Sequence, residues 1–243
     1  MAARDSRRSY DDACGAAHAL DLVGERWALL VVRELLLGPR RFTDLRAGLP
    51  GISPNVLTQR LEDLEIAGVV LRRRLPPPAA AWVYDLTEWG RGLEDVIVPL
   101  GRWGARSPAR PTGSPISTNS LILSMRTMFD PRAADGLSMR IALHVGEARF
   151  HADVADGRLS LLPGDAERPD ATIALDQPGA LAAVLYDGRD LAAAKLAGDL
   201  RIDGDRTAVR RFVRCFRLPD PATIPRVAAP SPDIRKPPRR AAR

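Results

Sequence analysis

The chain has 243 residues, of which 45% are hydrophobic and 27% are charged, as in ordinary soluble domains. This length suits one large domain or two of usual size. No apolar run reaches the roughly 18 residues of a membrane-spanning helix, and the N-terminal MAARDSRRSY lacks the apolar core of a signal peptide, so we expect a cytoplasmic protein.

The net charge of +6 is unevenly distributed along the chain. Residues 1–104 carry 14 arginines and 14 acidic residues, whereas residues 226–243 carry six basic residues and one acidic residue. The positive total alone therefore says little about nucleic acid. An argument for DNA binding has to rest on local clusters of charge.

Two proline-rich segments divide the chain. The first reads as a linker between domains, and the second, which also carries arginines, reads as a disordered basic tail. The predicted organisation is a flexible N-terminus at 1–10, a first domain at 11–106, a linker at 107–117, a second domain at 118–218 and a tail at 219–243.

The first domain begins with three predicted helices. These are Asp11–Leu22, the almost wholly apolar Arg26–Leu37, and the short Phe42–Ala47. Gly38-Pro39 is an ordinary helix stop after the second. An apolar helix of this kind is expected at the centre of a domain core.

The fourth predicted helix has the strongest local signals. Ser53 can cap it, and Pro54 suits its first position because the missing N–H would be unpaired anyway. One side of this helix is apolar, and Gly68 follows its end. The apolar side consists of Leu57, Leu61 and Leu64, and the opposite side presents Asn55, Thr58, Gln59 and Glu62.

Two short strands and a last helix complete the domain. Val69–Arg74 and Ala81–Leu86 predict a hairpin with a proline-rich tip. A final helix from Glu88 to about Trp103 carries an apolar stripe that includes Leu93. This order predicts a winged helix-turn-helix, in which the capped helix enters the major groove and the hairpin lies beside it.

The first domain resembles the HxlR family of bacterial regulators, which are relatives of the MarR group. The resemblance is carried by Cys14, the segment from Gly24 to Val70, the wing segment YDLTEWGRGL and Trp103. It implies a homodimer whose contact is formed by the first and last helices. The apolar stripe suits that contact, although it could instead cover the core or dock the second domain. Its predicted contact residues are Val96, Ile97, Leu100 and Trp103.

Some members of this family sense oxidants or electrophiles through a cysteine at the position of Cys14. Such a thiol needs a helix N-terminus or positive neighbours to lower its pKa. The place of Cys14 near a helix start is favourable, whereas Asp11 and Asp12 are unfavourable neighbours. The alternative is an inert cysteine packed against the dimer partner.

The candidate DNA-binding residues fall into three groups. Arginines around the short third helix (Arg40, Arg41 and Arg46) and in the wing (Arg72, Arg73 and Arg74) would contact phosphate or the minor groove of double-stranded DNA. On the fourth helix, Asn55, Thr58, Gln59 and Arg60 would read bases of an inverted repeat, although Arg60 lies near the edge of the apolar side and could instead contact backbone phosphate. Ser53, at the start of this helix, is a further candidate DNA-binding residue.

The alternation of side chains along a strand limits which wing arginines can contact DNA together. Successive side chains of a strand point to opposite faces, so Arg73 should face away from Arg72 and Arg74. Not all three can follow one phosphate track.

The second domain mixes strands and helices, which makes the predicted fold class of the whole chain α+β. Strands are predicted at Ser138–Val145, Ala148–Val154 and Ala171–Leu175, and helices at Pro178–Tyr186 and Arg206–Cys215. The run from Ala171 to Phe212, above all GDLRIDGD, resembles the sterol carrier protein fold. That resemblance implies a cavity for an apolar ligand between a sheet and helices. The alternative is a purely structural appendage.

Enzyme chemistry finds little support in the sequence. His18, His144 and His151 are isolated, and Cys14 and Cys215 lack metal-ligand spacing. No nucleophile elbow or P-loop motif is present. We therefore expect no enzyme, no metal and no cofactor.

Two functions remain open. The first is a homodimeric DNA-binding regulator, in particular a repressor, modulated by an apolar small molecule in the second domain. The second is a carrier of lipids or small molecules that uses its first domain to dimerise.

Overall fold

The structure is a computed structural model, and it describes residues 9–223. The predicted flexible N-terminus falls outside these residues apart from Ser9 and Tyr10, and so does the predicted basic tail from residue 224 onward. Within residues 9–223, no helix is long and apolar enough to cross a membrane.

The N-terminal part is built from six helices and one hairpin in chain order, up to residue 105. Its elements are α1 (Gly15–Val23), α2 (Ala28–Leu35), α3 (Phe42–Gly48), α4 (Pro54–Ile66), β1 (Val70–Arg74), β2 (Trp82–Leu86), α5 (Glu88–Arg91) and α6 (Glu94–Ala105).

Local backbone geometry explains why two helices are shorter than predicted. The Asp12 carboxylate accepts from the Cys14 backbone N–H at 2.9 Å, a turn that delays the start of α1 to Gly15. Trp27 has a left-handed φ of 81° before α2. An L-residue with that φ lies outside the helical region, so α2 begins at Ala28.

The predicted last helix is two helices. Thr87 caps α5 through the Gly90 N–H at 2.9 Å, and the chain turns at Gly92 before α6 begins at Glu94. A side chain at Gly90 would place its Cβ 2.1 Å from the Val69 carbonyl oxygen. The glycine therefore allows α5 to lie against the start of the hairpin.

The C-terminal part is a five-stranded sheet with helices. Its elements are α7 (Thr118–Met128), β3 (Met139–Val145), β4 (Ala148–Ala155), β5 (Arg158–Pro163), β6 (Ala171–Leu175), α8 (Pro178–Tyr186), α9 (Leu191–Leu196), β7 (Arg201–Gly204) and α10 (Arg206–Arg214).

The strand order in this sheet is β5-β4-β3-β6-β7, with only β3 and β6 parallel. Asp156 and Gly157 both have positive φ, as a two-residue hairpin between β4 and β5 requires. Several side chains are buried between the sheet and its helices, the layer in which the sterol-carrier resemblance expects a ligand. Fully buried ones are Leu121, Ile122, Met125, Ile141, Leu143 and Phe212. The predicted α+β class is confirmed.

Helix α7 was not predicted, and it joins the two parts. Leu123 is buried in the N-terminal core, whereas Leu121 and Met125 are buried in the C-terminal core. The same helix therefore contributes to both cores. The predicted linker, residues 107–117, lies between α6 and this helix.

The start of the predicted tail is in contact with the folded part. The Ala222 N–H donates to the Arg106 carbonyl at 2.7 Å, and the Arg106 guanidinium donates to the Asp220 carbonyl at 3.2 Å. Backbone groups paired in this way are not those of a free tail. The predicted boundary at 219 is therefore too early.

Candidate nucleic-acid interface

Helix α4 forms the centre of the candidate interface. The Ser53 hydroxyl accepts from the Val56 N–H at 3.3 Å, and Pro54 occupies the first turn, as predicted. Leu57, Leu61 and Leu64 anchor the helix in the N-terminal core. The opposite face, with Asn55, Thr58 and Gln59, is exposed. Three hydrogen-bonding side chains are therefore presented on a helix whose other face is fixed.

Arg60 does not belong to that exposed face. Its guanidinium lies 2.9 Å from the Asp63 carboxylate and 3.7 Å from Glu25, and its side chain is only 16% exposed. The prediction of Arg60 as a base-reading residue is corrected by these ion pairs. The Gln59 amide also donates to Asp63, at 3.1 Å, so Asp63 orients two neighbours of the exposed face.

Two of the three arginines around α3 are free to meet phosphate. Arg41 and Arg46 are exposed and make no ion pair within residues 9–223. Arg40 is different, because its guanidinium donates to the Asn119 amide oxygen of α7 at 2.6 Å. Its backbone also pairs with Tyr84 of the wing. Arg40 therefore links the wing to α7, and it is corrected from a DNA-contact residue to a structural one.

The wing presents different chemistry on its two faces. Arg72 is exposed and lies 5.0 Å over the Trp82 ring, and exposed Arg74 is the cross-strand partner of Trp82. On the other face, Arg73 pairs with the buried Asp85 at 2.8 Å, and Arg91 pairs with the same carboxylate at 2.7 Å. The predicted alternation is confirmed. Arg73, whose side chain is 42% exposed, is corrected from a free DNA-contact residue to an ion-pair partner of Asp85.

The junction between α4 and the wing carries negative charge. Burial raises the pKa of Tyr84, the neighbouring Arg72 lowers it, and Glu65 and Glu62 raise it. Both carboxylates thus lie close enough to act on a wing residue, and they would repel phosphate. Favourable contact with DNA is therefore expected from the first turns of α4 and from the outer wing.

Only part of the apolar stripe that was predicted to form the dimer contact is exposed in the structure. Val96, Leu100 and Trp103 are exposed large apolar side chains on α6, and Leu20 on α1 is exposed as well. Ile97 is buried in the N-terminal core, so it is corrected from a contact residue to a core residue. The exposed face remains available for a second copy.

Cys14 lies at the cap position of α1 and is exposed. The backbone N–H groups of Ala17 and Ala16 at the helix start lower the pKa of this thiol. A helix N-terminus has this effect because its free N–H groups stabilise the thiolate. Within the part of the chain that the structure describes, no group of three or more His, Cys, Asp or Glu residues could hold a metal.

The sequence did not predict the polar side chains that pair with three of the candidate DNA-binding arginines. Asp63, Asp85 and Asn119 pair with Arg60, Arg73 and Arg40, respectively. The spacing of Arg60 and Asp63 was a usable signal on a helix. Asn119 had no such signal, because it is brought to Arg40 by tertiary packing alone.

A capped helix, a preceding short helix and a hairpin with exposed arginines define a winged helix-turn-helix protein. The sequence model of the HxlR-like helix-turn-helix family matches residues 22–110, and that of the alkyl sulfatase C-terminal domain matches residues 114–222. YvaP of Bacillus subtilis, an uncharacterized HTH-type transcriptional regulator, is 38% identical over 85 residues, which are 35% of this chain and 79% of YvaP. The chain belongs to the HxlR-like helix-turn-helix family.

Two further proteins resemble the chain. The HTH-type transcriptional regulator YodB of Bacillus subtilis is 36% identical over 35% of this chain and 76% of YodB. Its reduced form superposes with a TM-score of 0.36 and 32% identity, covering 40% of this chain and 97% of that one. The inverting sec-alkylsulfatase Pisa1 from Pseudomonas sp. superposes with a TM-score of 0.35 and 22% identity, covering 38% and 15%.

Proposed function

We propose that the chain is a sequence-specific DNA-binding transcriptional regulator that acts in the cytoplasm as a homodimer and represses its target genes. The observation that carries the proposal is the fixed helix α4, which exposes Asn55, Thr58 and Gln59. Unpaired arginines on both sides of this helix supply the charge that phosphate needs. YvaP and YodB are themselves named as transcriptional regulators.

In the proposed complex, Asn55, Thr58 and Gln59 read base edges in the major groove. Arg41 and Arg46 contact phosphates beside α3, and Arg72 and Arg74 approach the neighbouring backbone from the wing. The Trp82 ring under Arg72 restricts the guanidinium before DNA arrives. Less side-chain freedom is then lost on binding.

The proposed dimer uses the exposed face of α6. Val96, Leu100 and Trp103 form it, and Leu20 of α1 is a further exposed apolar side chain. A two-fold dimer presents two α4 helices and so reads an inverted repeat with half-sites about one helical turn apart.

The proposed role of the C-terminal part is ligand-dependent control. The buried Asn119 of α7 donates to the Glu34 carbonyl at 2.6 Å and accepts from Arg40, which pairs with the wing through its backbone. Ser117 donates to the Glu34 carboxylate at 2.8 Å, and Arg126 pairs with Glu94 of α6 at 2.9 Å. A shift of α7 would therefore move both the wing and the dimer helix. The proposal assigns no catalytic step to the chain.

A second proposed control is oxidation of Cys14, which is exposed and has a lowered pKa. Replacing Cys14 with serine should abolish any release of DNA by oxidants. Release that is unchanged in Cys14→Ser would remove this control and leave the DNA-binding proposal intact.

The experiment that tests the proposal is selection of genomic DNA fragments by the purified full-length protein at physiological salt. We expect the wild type to enrich an inverted repeat and a Thr58→Ala/Gln59→Ala variant to lose this enrichment. Ser160→Ala, an exposed change on β5, is the control and should select as the wild type does. Equal selection by the double variant would refute readout by α4, and enrichment of nothing by any protein would favour the carrier function.

A further inference from the structure

A groove of about 530 Å³ lies between α9, β7 and α10 on the C-terminal part. This volume is within the range of small-molecule sites, roughly 300–1,000 Å³. The groove combines an apolar floor, formed by Leu191, Ile202 and Val213, with a rim of positively charged side chains.

The floor is the margin of the C-terminal core. Leu191, Ile202 and Val213 are only partly buried, yet they pack against the same core that contains Phe212. Ile202 lies on β7, an edge strand of the sheet, opposite Ile173 of β6. The apolar interior of the domain therefore reaches the surface at this edge.

The rim consists of Lys195 on α9 and Arg206, Arg210 and Arg214 on α10. The three arginines are four residues apart, which places them along one side of the helix. None of the four forms an ion pair within residues 9–223, whereas ten other arginines of that part do.

This concentration of positive charge is unfavourable without a partner, because like charges at this spacing repel. One acidic side chain also lines the groove, Asp190, whose carboxylate caps α9 by accepting from the Ala193 N–H at 2.8 Å, and it offsets only one of the four positive charges. The rim therefore offers several uncompensated donors that suit an anionic group.

We propose that this groove binds an anionic amphiphile, a single alkyl or acyl chain with a carboxylate, sulfate or phosphate head group. The chain lies on Leu191, Ile202 and Val213, and the head group meets the arginines of α10. DNA would use the arginines but has no part that needs the apolar floor. The inference deepens the ligand-dependent control of the proposed function and rests on it for any effect on transcription.

Calorimetric titration of the full-length protein with dodecanoate, kept below its micellar concentration, tests the inference. Dodecanoate should bind, and each methylene group removed from the chain should weaken binding about fourfold if the chain is buried. Dodecanol, which lacks the charge, should bind at least about tenfold more weakly. Equal binding of dodecanol, or no dependence on chain length, would overturn the proposal.

Variants of α10 locate the site. Arg210→Gln/Arg214→Gln should weaken dodecanoate binding at least about tenfold. Arg211→Gln is the matched control, because Arg211 is an exposed arginine of the same helix that does not line the groove. Equal weakening by Arg211→Gln would mean that only the total charge matters and would overturn the proposal.

Two further arms separate other partners from the amphiphile. Binding to vesicles that contain anionic lipid, without binding of monomeric dodecanoate, would replace the proposed ligand by a membrane surface. Weaker binding of a random DNA duplex by the double variant, with dodecanoate binding unchanged, would assign the rim to DNA. A protein that binds dodecanoate but selects no DNA would keep this inference and refute the proposed function. A protein that selects DNA but does not bind dodecanoate would keep the proposed function and overturn this inference.

Discussion

Three tryptophans of the N-terminal part and the phenylalanines of the C-terminal part lie in opposite environments. In the C-terminal part, Phe212 is fully buried and meets the Phe216 ring edge-on at 4.9 Å. In the N-terminal part, Trp82, Trp89 and Trp103 are 56%, 60% and 75% exposed. Large aromatic side chains left in water are costly unless another surface covers them. The N-terminal part therefore exposes aromatic side chains suited to partners, whereas the C-terminal part buries its phenylalanines.

The arginines extend this comparison. In the N-terminal part, an acidic or amide side chain pairs with Arg40, Arg60 and Arg73, whereas Arg41, Arg46, Arg72 and Arg74 form no ion pair within residues 9–223. In the C-terminal part, the four arginines of α10 form no ion pair within residues 9–223, and three of them lie beside one groove. The number of arginines is therefore a poor guide to contact, and the distribution of their acidic partners is a better one.

The largest expected effect comes from the aromatic contrast. Phe212→Ala should lower the free energy of unfolding by about 3–5 kcal/mol, because it opens a cavity among fully buried apolar side chains. Trp103→Ala should leave the unfolding of the monomer almost unchanged and should weaken the dimer. Denaturant melts and sedimentation at several protein concentrations measure the two effects.

A loss of monomer stability in Trp103→Ala as large as that in Phe212→Ala would break the comparison. It would mean that Trp103 packs within its own chain in solution. Leu196→Ala is a suitable control, because Leu196 is a 91% exposed apolar side chain on α9 and is not part of the proposed dimer contact on α6.

Much of the N-terminal part could be predicted from the sequence because its signals are local. Ser53-Pro54 marks the start of α4, and the leucine spacing marks its buried face. The break between α5 and α6 was missed, because the apolar stripe from Leu93 onward looked continuous and hid the role of Gly90 and Gly92. Local pattern predicts which helix forms, and it is weaker on where two helices meet.

The remaining errors share a tertiary cause. Ile97 lies on the predicted stripe, but packing against the N-terminal core takes it out of the exposed face. Helix α7 had a usable cap at Ser117, yet its division between two cores depends on residues far away in the sequence. The groove likewise needs β7 beside α9 and α10. The spacing of its arginines was visible, but its apolar floor was not.

The two cysteines provide the next effect in size. Burial raises the pKa of Cys215 to about 11, whereas backbone N–H groups lower the pKa of exposed Cys14. A lowered pKa gives more thiolate at a given pH, so Cys14 should react with iodoacetamide at pH 8 more than about 100-fold faster than Cys215. Its rate should also level off at a lower pH than that of a free cysteine.

Mass spectrometry of the labelled peptides at a series of times gives both rates. Cys14→Ser should leave only the slow reaction in the folded protein, and unfolding in denaturant should make Cys215 reactive. Fast labelling of Cys215 under native conditions would show that the C-terminal core opens readily, which contradicts its self-contained packing.

The smallest expected effect, and the sharpest test of the paired and free arginines, uses two neighbours on β1. Arg72→Ala removes a free cation, so the dependence of log affinity for DNA on log salt concentration should lose about one unit of slope. Arg73→Ala should leave that slope unchanged and lower stability by about 1 kcal/mol, since the Asp85 carboxylate retains Arg91 and the Leu86 N–H. A loss of slope in Arg73→Ala equal to that in Arg72→Ala would mean that Asp85 releases its partner to DNA, and that pairing in the free protein does not predict contact.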